Sequence, residues 1–114
     1  MRLCGVCILT DDAPRLSEFY RVALQSEPLV EGDHYSFDGA QLAVYNPGSV
    51  TVSEHKNMAL MFFVEDLLAH YGRLLREIPG IVIISPPERR PWGAHSFHCL
   101  DSDGNTVSFV ENAQ

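Results

Sequence analysis

Residues 9–20, LTDDAPRLSEFY, and residues 63–74, FVEDLLAHYGRL, follow one plan: an apolar strand end, two adjacent acidic positions, then large apolar side chains at helical spacing. Asp12 and Asp66 hold the same place in that plan, 54 residues apart. A chain of 114 residues that builds the same strand-to-helix junction twice is constrained to two small modules of similar design.

In the first module, LCGVCILT (residues 3–10) is β-branched and apolar enough for a strand. Asp11 or Asp12 then caps a helix with Pro14 in its first turn. Leu16, Phe19, Tyr20, Val22 and Ala23 form its apolar stripe, which ends by Leu24. HYSFDG and AQLAVYN read as two short strands around an Asp38-Gly39 turn. In the second module, MALMFFV is a strand, and Leu67, Tyr71, Leu74 and Leu75 give a helical stripe closed by Ile78-Pro79-Gly80. GIVIIS is the next strand, PPERRPWG a rigid exposed loop, and HSFHCL with TVSFVE a hairpin across DSDGN. Each half is thus expected to be βαβββ, giving an α+β fold. The whole chain, 1–114, reads as one domain, with module one over about 1–46, a linker over about 47–57 and module two over about 58–114.

Composition excludes several function classes. A net charge of −7 opposes the broad basic surface that phosphate backbones need, so nucleic acid is not an expected partner. The longest apolar runs are too short to span a bilayer, and the N-terminus lacks a signal-peptide cleavage pattern. With 46% apolar residues and mean hydropathy near zero, the sequence describes a soluble, cytoplasmic globular protein without a membrane partner. Three cysteines, an odd number, do not make a disulfide framework and agree with a reducing compartment.

His95 and His98 invite a metal reading, but residues three apart on a strand point to opposite faces. Pairing Leu100 with Thr106 across the DSDGN turn also pairs His98 with Ser108 and Ser96 with Val110. Phe97, Cys99, Val107 and Phe109 then make a uniformly apolar face for the helix, while His98 and Ser108 look away from it and His95 is simply exposed. Cys4 and Cys7 lack a second ligand pair and do not sit at a helix N-terminus, so CxxC chemistry is not expected. Trp92, between Pro91 and Gly93 and beside the guanidinium groups of Arg89 and Arg90, could stack on a planar ligand or help bind an anionic group, or else cover a core edge while the arginines stay in water.

PWG followed by a strand, DSDGN and TVSFVE resembles the C-terminal signature of the vicinal oxygen chelate superfamily, which includes glyoxalases, extradiol dioxygenases and bleomycin resistance proteins. The likeness extends over essentially the whole chain. It implies paired βαβββ modules whose mixed sheets curl around a cavity, commonly in a homodimer, with four side chains holding a divalent metal in the metal-dependent members. At the matching places this chain has Gly5, Leu42 or Ala43, Ala59 and Ser108, none a strong ligand. The expectation is therefore a protein with no cofactor and no metal that binds or sequesters a small hydrophobic or aromatic molecule. Its cavity would be lined by Cys7, Leu42, Ala59, Met61, Phe63, His98 and Ser108, with Trp92 at the rim. The alternative is a metal-dependent or histidine-based lyase, isomerase or dioxygenase of the same superfamily. In a histidine-based enzyme His98 would act as general acid or base near Cys7 or Tyr45. No catalytic residue is assigned by the sequence.

Overall fold

The computed structural model describes residues 1–112, which form two compact units, residues 1–54 and residues 55–112. In the first, β1 (Val6–Leu9) leads through Thr10 and Asp11 to α1 (Ala13–Leu24). Asp12 caps α1, its Oδ1 accepting from the Arg15 N–H at 3.2 Å, and Pro14 stands in the first turn, where its missing N–H costs nothing. Gln25 ends the helix in the left-handed region (φ 52°), its N–H reaching back to the last turn. Then come β2 (Leu29–Glu31), β3 (His34–Phe37) and β4 (Leu42–Tyr45), in a mixed sheet of order β1-β4-β3-β2 with β1 and β4 parallel. Leu16, Phe19, Tyr20 and Ala23 of α1 are buried, as are Phe37, Leu42 and Val44 of the sheet. Each large side chain buried this way contributes about 1.5–3 kcal/mol.

Two details of this unit differ from expectation. The Asp38-Gly39 link between strands is a short 3₁₀ turn, Asp38–Ala40, and the left-handed residue is Gln41 (φ 54°). Leu42 is only 4% exposed and belongs to the helix-covered core. It pairs with Val6 and Phe37, whereas Ala43 pairs with Cys7 and Ser36 on the open face. Of the two alternatives left by the sequence, strand alternation selects Ala43, and Leu42 is withdrawn from the candidate lining.

The second unit repeats the design. β5 (Ala59–Val64) leads to α2 (Leu67–Glu77), whose cap Asp66 accepts from the Ala69 N–H at 3.1 Å, matching the role of Asp12. β6 (Val82–Arg89), β7 (His95–Leu100) and β8 (Thr106–Glu111) complete a sheet of order β5-β8-β7-β6, with β5 and β8 parallel. Its core is Leu67 and Leu74 of α2 against Phe97, Cys99, Val107 and Phe109, all at most 1% exposed. Phe97 and Phe109 stack at 5.2 Å between centroids, and His70 of α2 lies 4.4 Å from Phe109. β6 runs further than GIVIIS, through Pro86 and Pro87 to Arg89, so the expected PPERRPWG loop shrinks to a turn at residues 90–94. An edge strand with bulges accepts proline because the missing N–H need not pair, and the register of β6 shifts between Ile83 and Ser85 and between Ser85 and Glu88.

Candidate functional site: the open face of the second sheet

The DSDGN turn sets the register on which this face depends. Asp101, 6% exposed, accepts from the backbone N–H groups of Asp103 and Asn105 at 2.9 Å and from Asn105 Nδ2 at 2.8 Å, and Gly104 supplies φ 84°. These contacts fix the hairpin so that Leu100 pairs with Thr106, His98 with Ser108 and Ser96 with Val110, the register expected from the sequence. Phe97 and Cys99 therefore go under α2. Burial, aided by Asp101, pushes the Cys99 thiol up to about 12, where it is inert as a nucleophile.

On the other face, pairing across the four strands produces rows of side chains. Met61, Ser108, His98 and Ser85 form one row; Phe63, Val110, Ser96 and Glu88 form the next; Ala59, Thr106, Leu100 and Val82 form a third. Its β5 edge is apolar and uncovered, with Met61 69% and Phe63 74% exposed. Its β6 edge is polar. Between them, His98 Nδ1 and Ser108 Oγ are buried without a hydrogen-bond partner. Burial and the neighbouring Arg90 hold the His98 pKa below the ordinary histidine value, with Glu88 working weakly against them. His98 is accordingly neutral near pH 7.

Arg90 organises the polar edge. Its side chain is 9% exposed and folds back on the sheet instead of standing in water. Nε donates to Ser96 Oγ at 2.8 Å, Nη2 to Ser96 O at 3.1 Å, and Nη1 to Ser85 Oγ at 2.9 Å and to the Glu88 carboxylate. Sequence reading singled out Arg90 and set Ser96 on this face but missed Ser85, Glu88 and the network that joins the four, because their meeting depends on the bulges in β6. Two serines on the sheet's open side were the only available signal.

The other candidate residues lie as follows. Ala59, Met61, Phe63, His98 and Ser108 share the open face of the second sheet, and Cys7 is on the open face of the first, exposed. Trp92 is in the 90–94 turn and 75% exposed. His95 is half-buried rather than free: its Nδ1 lies 3.4 Å from Glu111 Oε1. The Leu67 N–H at the start of α2 donates to Glu111 Oε2, and this bond, then His95, keeps the Glu111 pKa low. Both line an open cleft of about 560 Å³ with Glu65, Asp66, Arg89 and Ala94, which contains none of the expected lining residues.

The residues at the places where the resemblance implies metal ligands, two in each unit, are not ligand types that suit a divalent ion. Gly5, Ala43, Ala59 and Ser108 offer one hydroxyl among them, and among the described residues no group of three His, Cys, Asp or Glu side chains could hold a metal. Gly5 is also sterically committed, since a Cβ there would come within 2.8 Å of the Gln41 carbonyl oxygen.

Two βαβββ units, each with a mixed four-stranded sheet, define the glyoxalase/bleomycin resistance fold. The chain belongs to the Glyoxalase/Bleomycin resistance protein/Dioxygenase superfamily, whose family model matches residues 3–109. Among solved structures it is similar to a protein of unknown function from Agrobacterium tumefaciens, at 25% identity and TM-score 0.83, covering 99% of this chain and 95% of that one. TioX from Micromonospora sp. ML1 shares the fold at 19% identity and TM-score 0.76, covering 99% and 100%. So does lactoylglutathione lyase from Agrobacterium tumefaciens, at 18% identity and TM-score 0.71, covering 97% and 93%. No curated protein matches the chain.

Proposed function

We propose that this protein binds a small, largely apolar or aromatic molecule against the open face of its second sheet and releases it unchanged. The observation that carries this reading is His98 Nδ1 beside Ser108 Oγ: two polar groups on neighbouring strands, buried and unpartnered, next to exposed Met61 and Phe63. An unsatisfied buried polar atom costs about 1–3 kcal/mol, which a ligand that displaces the side chains covering these two atoms and hydrogen-bonds there would recover. Met61 and Phe63 offer the apolar contact for its body, and Trp92, exposed in the nearby turn, can swing its ring over a planar group. The donor set argues against the metal chemistry of the superfamily's enzymes, and the elevated Cys99 thiol leaves no nucleophile under the sheet.

A homodimer belongs to the same reading, since the edge strands of both sheets leave unpaired backbone groups of the kind a second copy covers. Free cysteines at 4, 7 and 99 suit a reducing cytoplasm. A thermal-shift screen of small aromatic molecules tests the function, because a ligand of the native state raises the melting temperature by mass action. Stabilising compounds recovered unaltered after incubation support the binder. A product formed by the wild type and abolished in His98→Ala supports the alternative enzyme, and about one equivalent of Ni, Zn, Mn or Fe in the purified protein overturns the metal-free reading.

A further inference from the structure

Resting on that reading, we propose that the Glu88–Arg90 pair sets the charge of the ligand this face accepts, admitting neutral or cationic head groups and excluding anionic ones. A buried arginine beside an open sheet face ordinarily marks an anion site. Here its capacity is already used. Of the five N–H groups of a guanidinium, four are directed to Ser96 Oγ, Ser96 O, Ser85 Oγ and the Glu88 carboxylate. The Glu88 carboxylate neutralises the charge, and Ser85 Oγ donates to it at 3.2 Å, fixing its position.

Glu88 pairs with Ser96 on the open side and is half exposed, so an arriving head group meets a carboxylate before it meets the guanidinium behind it. An anion would have to displace Glu88 from a charge-assisted bond and then sit beside it. Arg89 does not compensate. It pairs with His95, on the opposite face, where its Nη1 donates to Gly93 O at 3.2 Å. His98, neutral near pH 7, presents a hydrogen-bonding nitrogen without a charge. The chain's net charge of −7 acts in the same direction at long range. The ligand class is thus an apolar ring system carrying a hydroxyl, carbonyl, amide or ammonium group in place of a carboxylate, sulfate or phosphate.

Three probes with one ring system separate the possibilities: naphthalene-2-carboxamide, 2-naphthylmethylammonium and naphthalene-2-carboxylate, titrated calorimetrically at pH 7.5 and low salt. With the wild-type protein the carboxylate should bind at least about tenfold more weakly than the carboxamide. In Glu88→Gln, which frees the Arg90 charge, the carboxylate should gain about tenfold and the ammonium should weaken. Because Glu88 is half exposed the variant should fold, which its circular dichroism checks. Carboxylate binding equal to or tighter than carboxamide binding in the wild type, or a ratio unmoved by Glu88→Gln, overturns the charge rule while leaving the binder intact. Failure of all three probes to bind the wild type overturns the binder reading together with the rule.

Discussion

Acidification should destabilise the second module, foremost through His70. It lies on α2 against the Phe97 and Phe109 rings, at centroid distances of 6.1 and 4.4 Å, and its Nε2 is buried without a partner. Burial foremost, then the positive charge of Arg73, lowers its pKa from 6.5 to about 4. The unfolded chain therefore takes up the proton more readily than the folded one. The stability tied to neutral His70 is complete above pH 6.5, declines as pH falls through 6.5 toward 4, and reaches its floor below that. At 1.36 kcal/mol per pH unit the full gap corresponds to about 3 kcal/mol, which solvent screening of the partly buried ring reduces, so about 1 kcal/mol should be lost at pH 5. In urea titrations followed by circular dichroism this is a fall in midpoint of about 0.5 M between pH 7.5 and pH 5. His70→Phe keeps an aromatic ring against Phe109 and removes the titration. Carboxylates contribute equally to both proteins, so the difference between them isolates His70. Parallel losses in wild type and His70→Phe over that interval would refute the reasoning.

Two of the three thiols should react with a thiol reagent in the native protein at pH 8, because Cys4 and Cys7 are exposed while Cys99 is buried and its pKa raised to about 12; all three should react in urea. Cys99→Ser should cost about 1–3 kcal/mol of stability, read from the urea midpoint, and leave ligand affinity unchanged. Gly5→Ala places a Cβ 2.8 Å from the Gln41 carbonyl, so β1 must move away from β4 at a cost of about 1–3 kcal/mol, measured by thermal unfolding. Light scattering at micromolar concentration should return twice the 12.7 kDa chain mass; the monomer mass alone would remove the homodimer.

Local chemistry explains which parts of the structure the sequence disclosed. Asp12 and Asp66 cap their helices through the N–H three residues on, an interaction contained in a four-residue window. DSDGN closes its own turn through Asp101, and that closure carries the register of the whole hairpin, so the faces of His98, Ser108, Phe97 and Cys99 followed by alternation. What depended on distant partners was hidden. Leu42 and Ala43 could be separated only by the parallel pairing with β1, which nothing near residue 42 records. Pro86 and Pro87 read as loop until β6 is known to be a bulged edge strand. Arg90 looks solvated in sequence because its partners, Ser85, Glu88 and Ser96, converge only once those bulges turn the strand.

The central claim is that the open face of the second sheet takes the ligand. The protein's three methionines, Met1, Met58 and Met61, offer a direct test by methyl labelling with carbon-13. Met61 shares its row with Ser108 and His98, so an aromatic ring bound there must move its methyl resonance by ring current. Titrating naphthalene-2-carboxamide should shift the Met61 signal in a saturable way, with the shift weakened about tenfold in affinity by His98→Ala and the Met1 signal unmoved. Saturable binding that leaves Met61 still would place the ligand elsewhere and contradict the account.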